Sequence, residues 1–469
     1  MNSKGYKLPK KIHIIGICGV ATSALAMAFH RAGVRVTGSD KGFFPPVSTE
    51  LERAGVSFYA GWHPEKMVAD GKPDLVIITT ASGTQNPETI YARDHDIPSI
   101  GYTEAFGRYF IKRRSIVVAG TWGKTSSTAL LSYILIKAGM NPSYMFGAIS
   151  QSHEAAAAIT DGGWSVFEGD EYKSSPTDET AKFFYYKPTH LMLTAVSWDH
   201  ADLYPAEKDY FDTFERLIAT MPEDGLIVAN KDNPGVNATL KGTNKKVVWY
   251  GKDHADYRYD NVDQSKAGLD FTVDHNGKSY AVKSPMLGAF QAENITGCFA
   301  MAHEIGIEPD VIVSAIASFK GMKRRLEKRL EGGITVFDDI AHSPEKAAAV
   351  LRELRSIYDG KIIAVFEPNR GGRFRDAASK YDSAFKDADA VFIPRLTSQK
   401  KSANESEEPI EGDELAAIIS KTHKTCSYID DDAELVEVLV GRAKKGDIIV
   451  FLGSHGFRGM IEATTAKLT

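Results

Sequence analysis

The chain has 469 residues, too many for one hydrophobic core, so its length calls for two to four domains. With 43% apolar and 25% charged residues it has ordinary globular composition, which excludes wholesale disorder, and a formal charge of −5 gives no basic face for nucleic acid. Three cysteines, Cys18, Cys298 and Cys426, without a CxxC pair exclude a disulfide framework or zinc ribbon.

The polar, basic start MNSKGYKLPKK precedes an apolar run, IHIIGICGV, that is too short and glycine-broken for a signal peptide or membrane span. The expected location is therefore the reducing cytoplasm, with no membrane partner. Strand-like IHIIG, VRVTGSD, VSFYAG and LVIITT then alternate with helix-like ATSALAMAFHRAG, VSTELERAG and TIYARDHD, the pattern of a parallel sheet with crossover helices. Its glycine loop GICGVA departs from GxGxxG, with Cys18 and Ala21 at the second and third glycine positions. Asp40 ends the second strand, where a dinucleotide-binding domain places its ribose-binding acid; the bland alternative is a helix cap.

A boundary is expected near KRRS, Lys112–Ser115. Beyond it, VVAGTWGKTSST, Val117–Thr128, reads as strand, glycine loop and helix start. A helix N-terminus offers free N–H groups and a positive dipole end to a phosphate, with Lys124 reaching the outer phosphates and Thr125 facing magnesium. Val118 stands where the usual P-loop has its first glycine, so the match is to a shorter loop opening at Gly120. WSVFEGDEY runs an apolar strand into Glu168, Asp170 and Glu171, and HLMLTAVSWDHADLY runs another into Asp199, His200 and Asp202. Carboxylates at strand ends beside a P-loop suit a hard cation, although a lone histidine is more often structural. The segment from KVVWYG to YAVKSPM reads as an antiparallel addition, and KGMKRRLEKRLEGG as a connector. ITVFDDIAH, KIIAVFEPN, AVFIP and DIIVFLG form a third α/β unit, interrupted by the charge-dense SQKKSANESEEPIEGDE, which reads as a solvated loop. The expected architecture is α/β with three domains. A Rossmann-like N-terminal domain (1–112) is followed by a central P-loop ATPase-like domain with an added antiparallel segment (113–322) and a Rossmann-like C-terminal domain (323–469).

In order along the chain, the glycine loop, GTWGKT, the acidic strand end, the Asp-His pair, Arg324-Arg325 and DDIAHSP resemble the Mur ligases, the ATP-dependent amide-forming enzymes of peptidoglycan synthesis. The resemblance implies ATP and Mg2+ as cofactors, UDP-N-acetylmuramate and an amino acid or peptide as small-molecule substrates, and an acyl phosphate intermediate. It assigns Gly16, Cys18, Gly19, Asp40 and Ser82 to the UDP-sugar. Gly120, Thr121, Gly123, Lys124, Thr125, Ser126, Asn294, Arg325 and Asp339 go to ATP, and Thr125, Glu168 and His200 to metal. Lys124, His200 and Glu168 become the catalytic set, and Arg370 and Arg373 receive the incoming substrate, a guanidinium being suited to a carboxylate.

Within the family, GICG, GSDKGFFPPVSTELERAGV and EYKSSPTDETAKFFYYKP look like the murein-peptide ligases, which join L-alanyl-γ-D-glutamyl-meso-diaminopimelate to UDP-N-acetylmuramate; FEPNRGGRFRD looks closer to the L-alanine ligases. The peptide ligase is the expected reading and the L-alanine ligase its alternative. Trp122, Phe290, Gln291 and Ser343 stand where the family has other residues, histidine among them. Losing one neutral hydrogen bond to a nucleotide costs on the order of 1 kcal/mol, so altered contacts are expected rather than a dead enzyme. Three rival readings remain: a nicotinamide oxidoreductase, which leaves GTWGKTSS unexplained; a non-catalytic nucleotide-sugar-binding homologue; and a simple P-loop NTPase. No feature of the sequence specifies an oligomeric state.

Overall fold

The computed structural model describes residues 6–43, 47–79, 83–175, 178–200, 203–397 and 409–469. Ser82, Asp202 and the first part of SQKKSANESEEPIEGDE lie outside them. Three α/β domains follow one another, each around its own sheet. By contacts the chain makes two compact units. Met1–Val262, Asp270–Ser284 and Phe290–Lys320 form the first, which contains both the N-terminal and central domains; Asp263–Leu269, Pro285–Ala289 and Gly321–Thr469 form the second.

In the first sheet the strands Ser57–Ala60, Arg35–Asp40, Lys11–Ile15, Leu75–Ile78 and Ser99–Gly101 lie side by side in that order, all parallel. Strand order therefore reverses at Lys11–Ile15, and the crevice beyond its carboxyl end is where such sheets bind ligands.

The central sheet has ten strands. An interior strand, Arg114–Ala119, pairs in parallel with Trp164–Gly169 on one side and His190–Leu193 on the other. Ile116, Val117, Val118 and Ala119 are fully buried, as a strand covered on both faces requires. The motif-bearing ends of all three strands consequently open on one edge. KVVWYG was expected to begin the antiparallel addition, but Lys246–Gly251 pairs in parallel with Leu226–Asn230 and with the start of Tyr257–Ser265. The addition is instead Tyr257–Ser265, Gly268–His275 and Lys278–Ser284, neighbours in the sheet joined by two-residue turns, which only antiparallel strands accept. Asn276 and Gly277 make the second turn with φ of 48° and 76°.

In the C-terminal sheet the order is Glu327–Leu330, Thr335–Asp339, Ile448–Gly453, Ile362–Glu367, Ala390–Pro394 and Cys426–Ile429. The first strand is antiparallel to the second and the rest are parallel. Glu327–Leu330 corrects the expected connector: it is a charged edge strand, where Arg329 pairs with Asp338 and Glu462. Among the described residues no helix is long and apolar enough to cross a membrane.

Candidate active site

The loop after Arg114–Ala119 is built to be tight. Gly120 has φ 139°, and a Cβ there would lie 2.3 Å from Thr194 Oγ1; Gly123 has φ 80°, and its Cβ would meet Asn294 Oδ1 at 2.6 Å. The backbone is thus pressed against the end of His190–Leu193, and no larger residue fits at either position. Thr121 fastens the loop there: its N–H donates to Ala195 O at 2.8 Å, and its hydroxyl donates to Ser197 O and accepts from Ser197 N, each at 2.9 Å. The Thr194 hydroxyl donates to Trp122 O, leaving the Trp122 side chain 53% exposed. The helix Lys124–Lys137 begins immediately after, with buried Ser126 in its first turn.

Lys124 Nζ donates to Gly120 O at 2.6 Å and to both oxygens of fully buried Glu171, at 2.8 and 3.0 Å. Thr125 Oγ1 donates to Glu168 Oε1 at 2.7 Å, and the Gly147 backbone N–H donates to Glu168 Oε2 at 2.6 Å. Burial pushes the Glu168 carboxyl above its ordinary range, against the pull of those two hydrogen bonds. For Asp170 burial acts the same way, but Lys182 Nζ at 2.6 Å prevails and holds the carboxyl below its ordinary range. His200 adopts φ 55°, its backbone N–H bonded to Asp199 Oδ1, and its Nε2 lies 3.5 Å from Glu171 Oε1. That contact with Glu171 raises the imidazole above its usual range. Tyr210 hydroxyl links Glu171, at 3.3 Å, to Thr121, at 3.0 Å.

Thr125 thus meets Glu168, while Glu171, read from the sequence as one of the strand-end carboxylates suited to a hard cation, is the common partner of Lys124 and His200. The spacing ExDE signalled it; nothing in the sequence signalled Gly147. Among the described residues no group of three or more His, Cys, Asp or Glu side chains is arranged to hold a metal ion. Magnesium needs no such cage: it takes one or two protein oxygens and fills its shell with water and substrate phosphate. The touching oxygens of Thr125 and Glu168 fit that requirement.

In the N-terminal domain, Gly16 has φ 86° and room for no Cβ, with Thr79 Oγ1 2.2 Å from where one would stand. Asp40 Oδ2 accepts the Cys18 backbone N–H at 2.8 Å, tying the glycine loop to the next strand. Gly19 caps the helix Val20–Arg31. Beside the ends of Leu75–Ile78 and Ser99–Gly101 is a cavity of about 360 Å³ whose lining includes the hydroxyl-bearing residues Thr84, Thr89, Tyr102, Thr103, Ser174 and Ser175. These come from segments far apart in sequence, and no motif announced them.

Asn294, nearly buried, donates to Gln291 Oε1 at 3.3 Å. In the second unit, Asp339 accepts the backbone N–H groups of Leu326 at 2.7 Å and Ala341 at 2.8 Å, and Arg325 is exposed. Its neighbour Arg324 is the structural one, donating to Ser454 O at 3.0 Å and His455 O at 2.9 Å. Arg370 is partly buried with its guanidinium 6.0 Å from the Phe374 ring. Arg373 departs from its expected role. It is 1% exposed, and its nitrogens donate to Ile410 O at 3.0 Å, Thr397 O at 2.8 Å and Glu411 Oε1 at 2.9 Å. A guanidinium so enclosed braces the loop and is not open to a substrate carboxylate.

Comparison with known proteins adds the following. Residues 11–114 match the domain described as "Mur ligase family, catalytic domain", 118–302 the "Mur ligase middle domain" and 324–455 the "Mur ligase, glutamate ligase domain". The chain is 30% identical over 466 residues to a UDP-N-acetylmuramate–L-alanine ligase of Mesorhizobium japonicum, covering 96% of each chain. Its fold is similar to that of a UDP-N-acetylmuramate-alanine ligase from Thermotoga maritima, with TM-score 0.79, 23% identity and coverage of 98% of this chain and 99% of the other. It is also similar to the UDP-N-acetylmuramate:L-alanyl-γ-D-glutamyl-meso-diaminopimelate ligase of Neisseria meningitidis, with TM-score 0.61 and 28% identity over 67% of this chain and 100% of that one.

Proposed function

This chain belongs to the Mur ligase family of ATP-dependent amide-forming enzymes, and within it we propose that the chain joins L-alanine to UDP-N-acetylmuramate. The observation that carries the choice of amine is the near full-length relatedness to L-alanine ligases at 30% identity. It favours L-alanine over the tripeptide expected from the sequence motifs.

A carboxylate resists nucleophiles because of its charge and because oxide leaves badly; transfer of the ATP γ-phosphate onto it removes both obstacles. In our reading the backbone N–H groups at the start of Lys124–Lys137 receive the phosphates, and Lys124 exchanges Glu171 for the outer ones, offsetting charge as the phosphoryl group moves. Thr125 and Glu168 are the oxygen donors for magnesium, which when bound supplies further positive charge. His200, oriented by Glu171, faces the muramoyl carboxylate. Gly16, Cys18, Gly19 and Asp40 hold the uridine nucleotide, and the hydroxyl-lined cavity suits its sugar. Asn294, Arg325 and Asp339 serve ATP, and Arg370 the incoming carboxylate.

The tripeptide remains a second reading because the Neisseria meningitidis enzyme is 28% identical to this chain. Offering L-alanine and the tripeptide together with ATP, magnesium and UDP-N-acetylmuramate, and reading product mass, separates the two. L-Alanine is the expected acceptor; tripeptide product alone overturns that choice, and ADP release indifferent to UDP-N-acetylmuramate overturns the ligase chemistry.

A further inference from the structure

The tight loop around Gly123 has two chemically different flanks. In the sheet, Trp164–Gly169 lies on one side of Arg114–Ala119, and His190–Leu193, Leu226–Asn230 and Lys246–Gly251 follow on the other. The first flank carries Glu168 and the Lys124–Glu171 pair, the groups assigned above to magnesium and the outer phosphates. The second is covered by the helix Gln291–Glu304: a Cβ on its Gly297 would strike Met192 and, at 2.8 Å, Tyr250. Cys298 Sγ of the same helix meets Ser127 O at 3.4 Å, so its first turn stands against the loop.

On this second flank two large rings are left open. Trp122 and Phe290 are 53% and 55% exposed, and among the described residues neither meets another aromatic ring, a cation or a hydrogen-bonding side chain. Trp198, by contrast, donates its indole N–H to Tyr204 O at 2.9 Å. The two open rings are brought together by one contact. Asn294 Oδ1 occupies the space a Cβ would need at Gly123, 2.6 Å from it, and Trp122 precedes Gly123 with its carbonyl held on this flank by the Thr194 hydroxyl at 2.6 Å. Phe290 has helical φ and ψ of −60° and −18°, so it shares a helix face with Asn294, one turn earlier. Both are positions at which the chain departs from its family.

We propose that Trp122 and Phe290 form an aromatic platform on which the base of the bound nucleotide stacks, and that this makes the enzyme tolerant of which purine it carries. A nucleotide whose outer phosphates lie at Lys124 and Glu168 leaves the loop with its nucleoside end on the opposite flank, within reach of the two rings. An aromatic face accepts any base through its π surface, whereas hydrogen bonds to the ring edge discriminate between bases. The amides that could read an edge here are partly turned on each other, Asn294 donating to Gln291 Oε1 at 3.3 Å. The assignment rests on the ATP reading of the loop.

The test is a binding titration of the full chain, independent of turnover. Tryptophan fluorescence is followed as magnesium with ATP, GTP or inorganic tripolyphosphate, which has no base, is added. Both nucleotides should quench the emission, with dissociation constants within about 30-fold of each other, and tripolyphosphate should compete with ATP without quenching. GTP weaker than ATP by more than that factor overturns the tolerance. In Trp122→Phe, which keeps a ring, ATP should still bind by calorimetry and the quench should vanish; a quench that persists overturns the platform. Trp122→Leu and Phe290→Leu keep apolar bulk without a ring, and each should weaken both nucleotides about 10- to 100-fold, the worth of stacking one base, with competition by tripolyphosphate unchanged. Equal weakening of tripolyphosphate would mean that the loop itself is disturbed and overturns the platform. Should a leucine variant not fold, the Trp122→Phe titration decides alone. Binding of neither nucleotide nor tripolyphosphate would refute the ATP reading of the loop, whereas ATP bound without quenching overturns only the platform.

Discussion

Two cation-bearing loops leave buried parallel strands in this molecule, and the structure treats them oppositely. Lys124 follows Arg114–Ala119 and is held mainly by the Glu171 carboxylate; Arg373 follows Ile362–Glu367 and is held by two backbone carbonyls and Glu411. An ammonium is a point charge on a flexible stem, so a phosphate can replace Glu171 as its partner after a small rotation. A guanidinium fork fixed on main-chain oxygens has no comparable exchange open to it. A motif cation binds ligand only if its resting partner can be given up, and partners are a property of the fold.

The largest effect expected from this contrast is at Lys124. Lys124→Ala should lower the turnover number on the order of 10³-fold, measured as ADP release, through loss of charge opposite the transferred phosphoryl group. It also strands the buried Glu171, and breaking a buried pair from one side costs about 3–5 kcal/mol. Adding Glu171→Gln should recover the thermal midpoint and none of the turnover. Recovery of both would mean that Lys124 acts only as a structural counter-ion, like Arg373.

Arg373→Ala should cost about 2–3 kcal/mol of stability in denaturant unfolding, because the carbonyls of Ile410 and Thr397 lose their donor and a buried side chain is removed, while exposed Glu411 returns to water. An unchanged unfolding midpoint together with a raised KM for the incoming amino acid would return Arg373 to the substrate-binding role the sequence suggested and dissolve the contrast.

Next in size is Glu168→Gln, which should raise the magnesium concentration for half-maximal rate on the order of 10- to 100-fold while leaving the loop geometry to Thr121 and Gly147. No change in magnesium requirement would remove Glu168 from the metal site.

The same contrast explains what the sequence disclosed. Alternating apolar strands and helices made the three α/β domains legible, and the glycine spacing around Lys124 made the nucleotide loop legible, because both are local patterns. Glu327–Leu330 was hidden because a short, highly charged edge strand looks like a linker, and Lys246–Gly251 because parallel and antiparallel strands share one alphabet. Arg373 was misjudged because its acceptors lie 24 to 38 residues away across a charge-dense segment. Gly147, donating to Glu168 from 21 residues upstream, and the hydroxyl-lined cavity were invisible for the same reason.

The smallest expected effect separates the two loops by pH. The Lys124 side depends on a histidine: His153 Nε2 meets Ser132 Oγ on the helix Lys124–Lys137 at 3.1 Å, and Nδ1 meets Ser150 Oγ at 3.0 Å, anchoring the segment that carries Gly147 to Glu168. Its ring also packs against those of Tyr133, Tyr144, Phe146 and Phe319. Burial among them lowers the imidazole from 6.5 to about 4. Folded His153 is therefore neutral where unfolded His153 takes up a proton, so its contribution is intact above pH 6.5 and lost as pH falls toward 4, by about 2 kcal/mol at pH 5. The Arg373 brace, made of two backbone carbonyls and Glu411, contains no histidine, so it has no such dependence. His153→Gln should be less stable than wild type at pH 7 and should lose less between pH 7 and 5, measured by denaturant midpoints. Parallel pH slopes for the two proteins would show that His153 is not what makes the nucleotide loop acid-sensitive.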